Sequence, residues 1–368
     1  MTPLGRRIAE AIRRDGPMRL DRFWNIALFD REHGYYSRQM PFGRSGDFVT
    51  APDISQIFGE LVAVWLIAAW RGLGTPASVT LAEIGPGRGT LMADILRTLR
   101  RVAPDLLRAA RIRLVEVSDR LAALQAETLA PFDLPVRRLR RLEDVEPGPL
   151  LLVGNELFDA VAIRQFVFDG TAWRERCIDA SAGGRLSFVL CPQALQPPGD
   201  LMARLPPPAA GAVLEVSPER EALAGHLAAR LARDGGAALF FDYGHALTGF
   251  GDTLQAIGGH ACADPLTRPG EIDITSHVDF ARLAARFEAA RLTVSAVAEQ
   301  GETLLALGLL ERAGALGADG SAAARAVITA AVERLAGTGP GQMGRLFKVL
   351  AVASAPLALP PFAPSQAD

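Results

Sequence analysis

Apolar residues recur at helical spacing early in the chain: Ile8 and Ile12, then Leu20, Phe23, Trp24, Ala27 and Leu28. Spacings of three and four residues put these side chains on one face of a helix. Residues 33–53 break the pattern. HGYYSRQMPFGRSGDFVTAPD is rich in Gly, Pro and aromatic residues, which predicts a long loop of the kind that often carries function. Helical spacing resumes over 55–70. Residues 79–85 then read as a first apolar strand and 91–102 as its helix. Residues 112–117 (IRLVEV) read as a second strand, 121–130 as a helix and 149–153 as another strand. Over 163–190 apolar and polar residues alternate, as in antiparallel hairpins, with Gly170 and Gly183-Gly184 at the turns. The proline-rich stretch 195–211 reads as a connection, and 219–233 as a helix. Residues 237–243 (AALFFDY) read as a strand covered on both faces. Residues 250–271 predict a second glycine-containing loop. Residues 274–291 predict a helix capped by Thr275 or Ser276, and 292–299 and 347–354 predict closing strands.

Strands alternating with helices predict an α/β fold built on a parallel sheet. The pattern divides the chain into a helical N-terminal region with a lid-like loop (1–78), the α/β domain (79–160 and 212–355), an inserted antiparallel segment (161–211) and a tail (356–368). At 49% hydrophobic residues the 368-residue chain can bury a large core. Its 39 Lys and Arg against 41 Asp and Glu leave a net charge of −2. No basic field covers it, so a nucleic-acid partner is not expected. The three cysteines, Cys177, Cys191 and Cys262, include no C-x-x-C pair. Neither a disulfide framework nor a zinc site is expected, and a reducing cytoplasm is the expected compartment. The five histidines form no H-x-x-x-H pair, so no metal is expected. The basic start lacks the apolar core of a secretory signal. The most apolar helix, 61–70, is too short to span a bilayer.

Candidate chemistry concentrates in residues 81–91, LAEIGPGRGTL. A strand, an acidic residue, a glycine turn and a helix build a nucleotide-sized pocket at the carboxyl edge of a sheet. A dinucleotide fingerprint reads G-x-G-x-x-G and binds a pyrophosphate. Here the pattern is E-x-G-x-G-x-G, with Glu83 before Gly85, Gly87 and Gly89. A carboxylate at that place repels a pyrophosphate and favours a cation. S-adenosylmethionine (SAM) carries a sulfonium and an ammonium and no phosphate, so it is the expected cofactor. Thr90 opens the following helix and is counted with the cofactor-facing residues.

Glu116 ends the second strand, where a carboxylate can accept both ribose hydroxyls. Asn155, Glu156 and Asp159 follow what is read as the fourth strand. Asn155 is assigned to the cofactor, and Glu156 and Asp159 to catalysis, because paired carboxylates can orient a guanidinium for attack. Helix capping by Asn155 and Asp159 is the competing reading. The loop with Gly46, Phe48 and Thr50 is placed beside the cofactor as a lid. Asp242 ends a buried strand as a candidate base or substrate anchor. His245, His260 and His277 are weaker acid/base candidates.

These blocks occur in the order GYY…PFGRSGDFVTAPDISQIFGE, AEIGPGRGTL, NELFDA, FFDYGH, PG-x-x-DIT-x-HVDF and MGRLFKVL. In that order, over about residues 20–352, the chain resembles the MidA-type SAM-dependent methyltransferases. The resemblance implies a class I, Rossmann-like methyltransferase sheet with extra substrate-binding elements. It implies cofactor contact by Gly85, Gly87 and Gly89, with Glu116 on the ribose. It also implies methylation of an arginine on a protein acceptor, a subunit of respiratory complex I, with a role in assembly. A homodimer is a further expectation. A methyltransferase for a small molecule or another residue type, and a non-catalytic SAM-binding assembly chaperone, remain open alternatives.

Overall fold

The computed structural model describes residues 1–38, 49–203, 205–258 and 261–362. The chain sorts into two compact units. Unit 1 comprises Met1–Phe48, Phe158–Leu223 and Leu247–Asp279; unit 2 comprises Val49–Leu157, Ala224–Ala246 and Phe280–Asp368. The longer helices are α1 (Pro3–Asp15), α2 (Leu20–Phe29), α3 (Gln56–Gly72), α4 (Thr90–Val102), α5 (Asp119–Leu129), α6 (Pro218–Asp234), α7 (Phe280–Ala289), α8 (Gln300–Ala306), α9 (Leu309–Gly317) and α10 (Ala322–Ala336). The strands of three or more residues are β1 (Val79–Ile84), β2 (Ala110–Val115), β3 (Arg137–Leu139), β4 (Leu150–Asn155), β5 (Arg164–Phe168), β6 (Trp173–Ala180), β7 (Leu186–Ala194), β8 (Val213–Val216), β9 (Gly236–His245), β10 (Gln255–Gly258), β11 (Ala261–Ala263), β12 (Asp273–Thr275) and β13 (Phe347–Ala353).

Unit 2 holds the expected parallel sheet. Its strands run in the order β13-β9-β4-β1-β2-β3. All neighbours are parallel except β13, which is antiparallel to β9. The register pairs Ile84 with Val115 and Gly154, and Phe241 with Asn155, so the carboxyl ends of four strands align. Every residue of β1 is buried, as are Leu150–Val153 of β4, which explains their unbroken apolar runs. Phe58, Trp65, Leu91, Leu96, Leu151 and Phe241 share one core. Each such side chain, fully buried, contributes about 1.5–3 kcal/mol. α3 packs closely on α4 because Gly59 has no side chain; a Cβ there would lie 2.4 Å from the Cβ of Asp94. Residues 300–336, where the pattern predicts no element, form α8, α9 and α10.

Unit 1 is largely antiparallel. β8 pairs with β5, β5 with β6, and β6 with β7. Gly170 and Gly184 take left-handed φ of +100° and +84° at the two turns. The helical faces read from sequence hold: Ile8 and Ile12 of α1 and Leu20, Phe23, Trp24, Ala27 and Leu28 of α2 enter one core, which Leu4 joins.

Three expectations are corrected. Cys177 of β6 and Cys191 of β7 form a disulfide, with Cα atoms 6.4 Å apart. They lie 14 positions apart in sequence, but the hairpin folds that separation away. Residues 250–271 are not wholly irregular, since β10 pairs with β11 and β12 in a small sheet. The helix predicted from 274 begins only at Phe280; Asp273–Thr275 is strand β12. The spacing of Phe280, Leu283 and Phe287 extends backward to Ile274 by coincidence, because Ile274 is a strand residue facing the α1–α2 core. The two compact units place residues 56–72 in unit 2, where α3 packs on α4, and 212–223 and 247–279 in unit 1. Among the described residues, no helix is long and apolar enough to cross a membrane.

Candidate cofactor and active site

β1 ends at Ile84, and the chain turns sharply into α4. Gly85, Gly87 and Gly89 have φ of +66°, +51° and +81°. All three lie in the left-handed region, where a side chain costs roughly 1–2 kcal/mol. The alternate glycines therefore follow from backbone conformation. Gly85 N–H donates to Val115 O at 3.1 Å, Gly89 N–H to Pro86 O at 2.7 Å, and Ala93 N–H to Gly89 O at 3.0 Å, so the turn is tied to β2 and leads into α4.

Two buried carboxylates stand at this turn. Glu83 on β1 is 3% exposed. Burial pushes its pKa up to about 8; the Met92 backbone N–H counters this in part, and the nearby Glu116 charge adds to it. Its Oε2 has no hydrogen-bond partner. Glu116, just past β2, accepts from Ser118 N–H at 2.8 Å on one oxygen and from the Gln125 amide at 3.1 Å on the other. Burial raises its pKa as well. Gln125 also donates to Gly87 O at 2.8 Å, which links the carboxylate to the glycine turn. Its own Oε1 has no partner.

Thr90, the first residue of α4, donates to Asp53 at 3.4 Å, and Thr50 donates to the same carboxylate at 3.3 Å. Arg88 lies 3.8 Å from it. Asp53 thus anchors Thr50 to the turn. The sequence reading passed over Asp53 and Gln125 as site residues. Gln125 sits with buried Leu121 and Leu129 on the inner face of α5, and a polar residue on an apolar stripe was the available signal.

Asn155, Glu156 and Asp242 lie at the carboxyl ends of β4 and β9. Asn155 donates to Glu156 Oε1 at 3.2 Å, and its own Oδ1 is buried without a partner. Glu156 has a φ of +50°, and its N–H donates to Phe241 O at 2.8 Å. A non-glycine residue held left-handed at a strand end is a strained position of the kind that clusters at functional sites. Asp242 is fully buried, with one oxygen accepting from Tyr243 N–H at 3.0 Å. His245 ends β9. Asp159 belongs to unit 1, where its carboxylate accepts from Ala160 N–H at 2.8 Å. His277 also lies in unit 1. Helix capping by Asn155 or Asp159 is excluded, because no helix lies between β4 and β5. Gly46, Phe48 and His260 lie outside the described residues.

Comparison with known proteins gives one consistent answer. A family model for S-adenosyl-L-methionine-dependent methyltransferases matches residues 61–297. The chain belongs to this family. Among relatives of the methyltransferase, "Protein arginine methyltransferase NDUFAF7 homolog, mitochondrial" of Drosophila melanogaster is 36% identical, covering 95% of this chain and 84% of that protein. "Protein arginine methyltransferase NDUFAF7, mitochondrial" of Mus musculus is 37% identical, covering 77% and 69%. A crystal structure from Burkholderia thailandensis bound to S-adenosyl-homocysteine is 27% identical with a TM-score of 0.82, covering 95% and 91%. The class I methyltransferase fold and the SAM cofactor follow.

The residues around the turn of the methyltransferase fit that cofactor. Glu83 Oε2, Gln125 Oε1 and Asn155 Oδ1 are buried acceptors without partners. SAM brings donors to match them: an ammonium, two ribose hydroxyls and an exocyclic amine. When bound, it supplies an electrophilic sulfonium methyl. Glu83 would offset the ligand's positive charge, Glu116 would hold the ribose, and the glycine backbone would permit close approach.

Proposed function

We propose that this methyltransferase transfers a methyl group to an arginine nitrogen of a protein acceptor, and that the acceptor is a subunit of respiratory complex I. The observation that carries the methyl-donor half is the orphaned oxygen of buried Glu83 beside three left-handed glycines. The acceptor half is supported by relatives named as protein arginine methyltransferases at 36% and 37% identity. The family resemblance adds the complex I subunit. In this reading Glu156 and Asp242, at the strand ends, orient the nucleophile or take its proton, since an arginine nitrogen must lose a proton during or after attack.

The test has two stages. Isothermal titration should give micromolar binding of both SAM and S-adenosyl-homocysteine. Tritiated methyl from SAM should then label protein in a lysate of cells lacking the enzyme, and acid hydrolysis should return the label as methylarginine. A folded sample that binds neither ligand, or label recovered on another residue type, overturns the reading.

A further inference from the structure

The inner face of α5 carries one polar residue that packing does not explain. α5 buries Leu121, Gln125 and Leu129, a spacing that puts them on a single helix face. Gln125 is 2% exposed. Burying an amide between two leucines is unfavourable unless its polar groups are paired, and a third leucine would serve the packing alone. The bonds that hold the amide there lie on the cofactor side. Its Nε2 donates to Gly87 O at 2.8 Å and to Glu116 Oε2 at 3.1 Å. An amide nitrogen has two hydrogens, and both are used. A Cβ on Gly89 would lie 3.5 Å from the Cα and the Cγ of Gln125, so the glycine turn packs directly against this side chain.

Glu116 is held from several directions. Its backbone N–H donates to Leu139 O of β3 at 2.9 Å, and its carbonyl accepts from Arg138 Nε at 3.1 Å. Ser118 N–H donates to Oε1 at 2.8 Å. These bonds fix the main chain and one carboxylate oxygen. Gln125 reaches the second oxygen and ties it, through the same nitrogen, to the carbonyl of Gly87. The carboxylate is thereby oriented relative to the turn before any ligand arrives. A binding group fixed in advance loses little rotamer freedom when the ligand binds, and its selectivity depends on how firmly its neighbours hold it.

We propose that Gln125 is a positioning residue for the cofactor's ribose: by holding Glu116 to the glycine turn, it makes the site demand an intact pair of ribose hydroxyls. This inference rests on the assignment of Glu116 to the ribose and names the side chain that aims it.

The test uses the full-length enzyme with Gln125→Met, Gln125→Asn and Glu116→Ala. Methionine keeps the length without a donor, and asparagine keeps the amide one methylene too short. S-adenosyl-homocysteine and its 2′-deoxy and 3′-deoxy analogues are titrated into each by calorimetry, and melting temperatures are recorded. The wild-type enzyme should bind the weaker deoxy analogue about 10- to 100-fold less tightly than the parent, the range for a lost hydrogen bond to a carboxylate. In Gln125→Met and Gln125→Asn the affinity for the parent should fall about 10-fold while that for the analogue hardly moves, so the ratio shrinks toward unity. A merely structural role lowers the melting temperature, or all three affinities in parallel, and leaves the ratio at its wild-type value; that result overturns the proposal. Glu116→Ala should abolish the discrimination. If it does while the Gln125 variants keep the wild-type ratio, Glu116 stays on the ribose and only the role of Gln125 falls. If Glu116→Ala keeps the ratio, or the wild-type enzyme does not discriminate, the ribose assignment fails and the proposal with it. If Gln125→Met fails to fold, Gln125→Asn decides.

Discussion

Glu83 in unit 2 and Glu175 in unit 1 are 3% and 4% exposed, yet they are held in opposite ways. Glu175 is gripped by Arg164 through two hydrogen bonds of 2.6 and 2.8 Å. Beside it, Gln165 donates to Glu215 and Asp252 and accepts from Arg176, which also reaches Asp252 at 2.7 Å. Glu83 has a backbone N–H on one side and an oxygen with no partner on the other. Paired charge fixes the shape of the unit that contains it. A buried carboxyl oxygen without a partner is a standing cost that a ligand can relieve. In this enzyme the unsatisfied acceptors, rather than the density of charge, mark where the cofactor belongs.

That contrast can be broken in three ways. The largest effect is expected for Gly87→Val. Its φ of +51° is strained for a β-branched residue, so titration should show SAM affinity reduced more than about 100-fold while circular dichroism shows an intact fold. Native affinity would mean that the turn does not shape the site. Next is Arg164→Met, which strips Glu175 of its partner. Because Arg164 keeps 24% of its side chain exposed, the loss should be about 2 kcal/mol in a urea titration, with SAM affinity unchanged. A fall in SAM affinity would dissolve the distinction between the two carboxylates.

The smallest effect is a pH dependence set by Glu83. Without ligand this group keeps its proton up to about pH 8, whereas the unfolded chain releases it in the ordinary carboxylate range. The native state therefore binds the extra proton between those values, and this group's contribution to stability falls as pH rises through that window. The ligand's ammonium favours the ionised form. Binding near neutral pH should expel a proton, and affinity should rise severalfold between about pH 6.5 and 8. Titrations in two buffers of different ionisation enthalpy measure the released proton, and Glu83→Gln should abolish the release. Proton release that persists in Glu83→Gln would move the effect to another group.

Features written in local backbone geometry were legible in the sequence. Gly85, Gly87 and Gly89 announce left-handed positions, Glu116 announces a strand end, and Gly170 and Gly184 announce hairpin turns. The all-buried strands of unit 2 were legible for the same reason, since two covered faces leave no alternation. What was missed depends on partners distant in the chain. Asp273–Thr275 is a strand only because Gln255–Gly258 lies alongside it. Cys177 and Cys191 meet only across a folded hairpin. Gln125 matters because it reaches Gly87, 38 residues earlier. Glu156 and Asp159 are three residues apart in sequence, yet the chain leaves one compact unit for the other between Leu157 and Phe158.

The Cys177–Cys191 bond spans the turn that contains Gly183 and Gly184, where Ser181, Ala182, Gly183 and Arg185 are exposed. A protease that cuts this turn leaves two polypeptides joined by sulfur. Such a nicked preparation would run as a single band on a non-reducing gel, and only a thiol reductant would part the fragments, one ending and the other beginning in that hairpin.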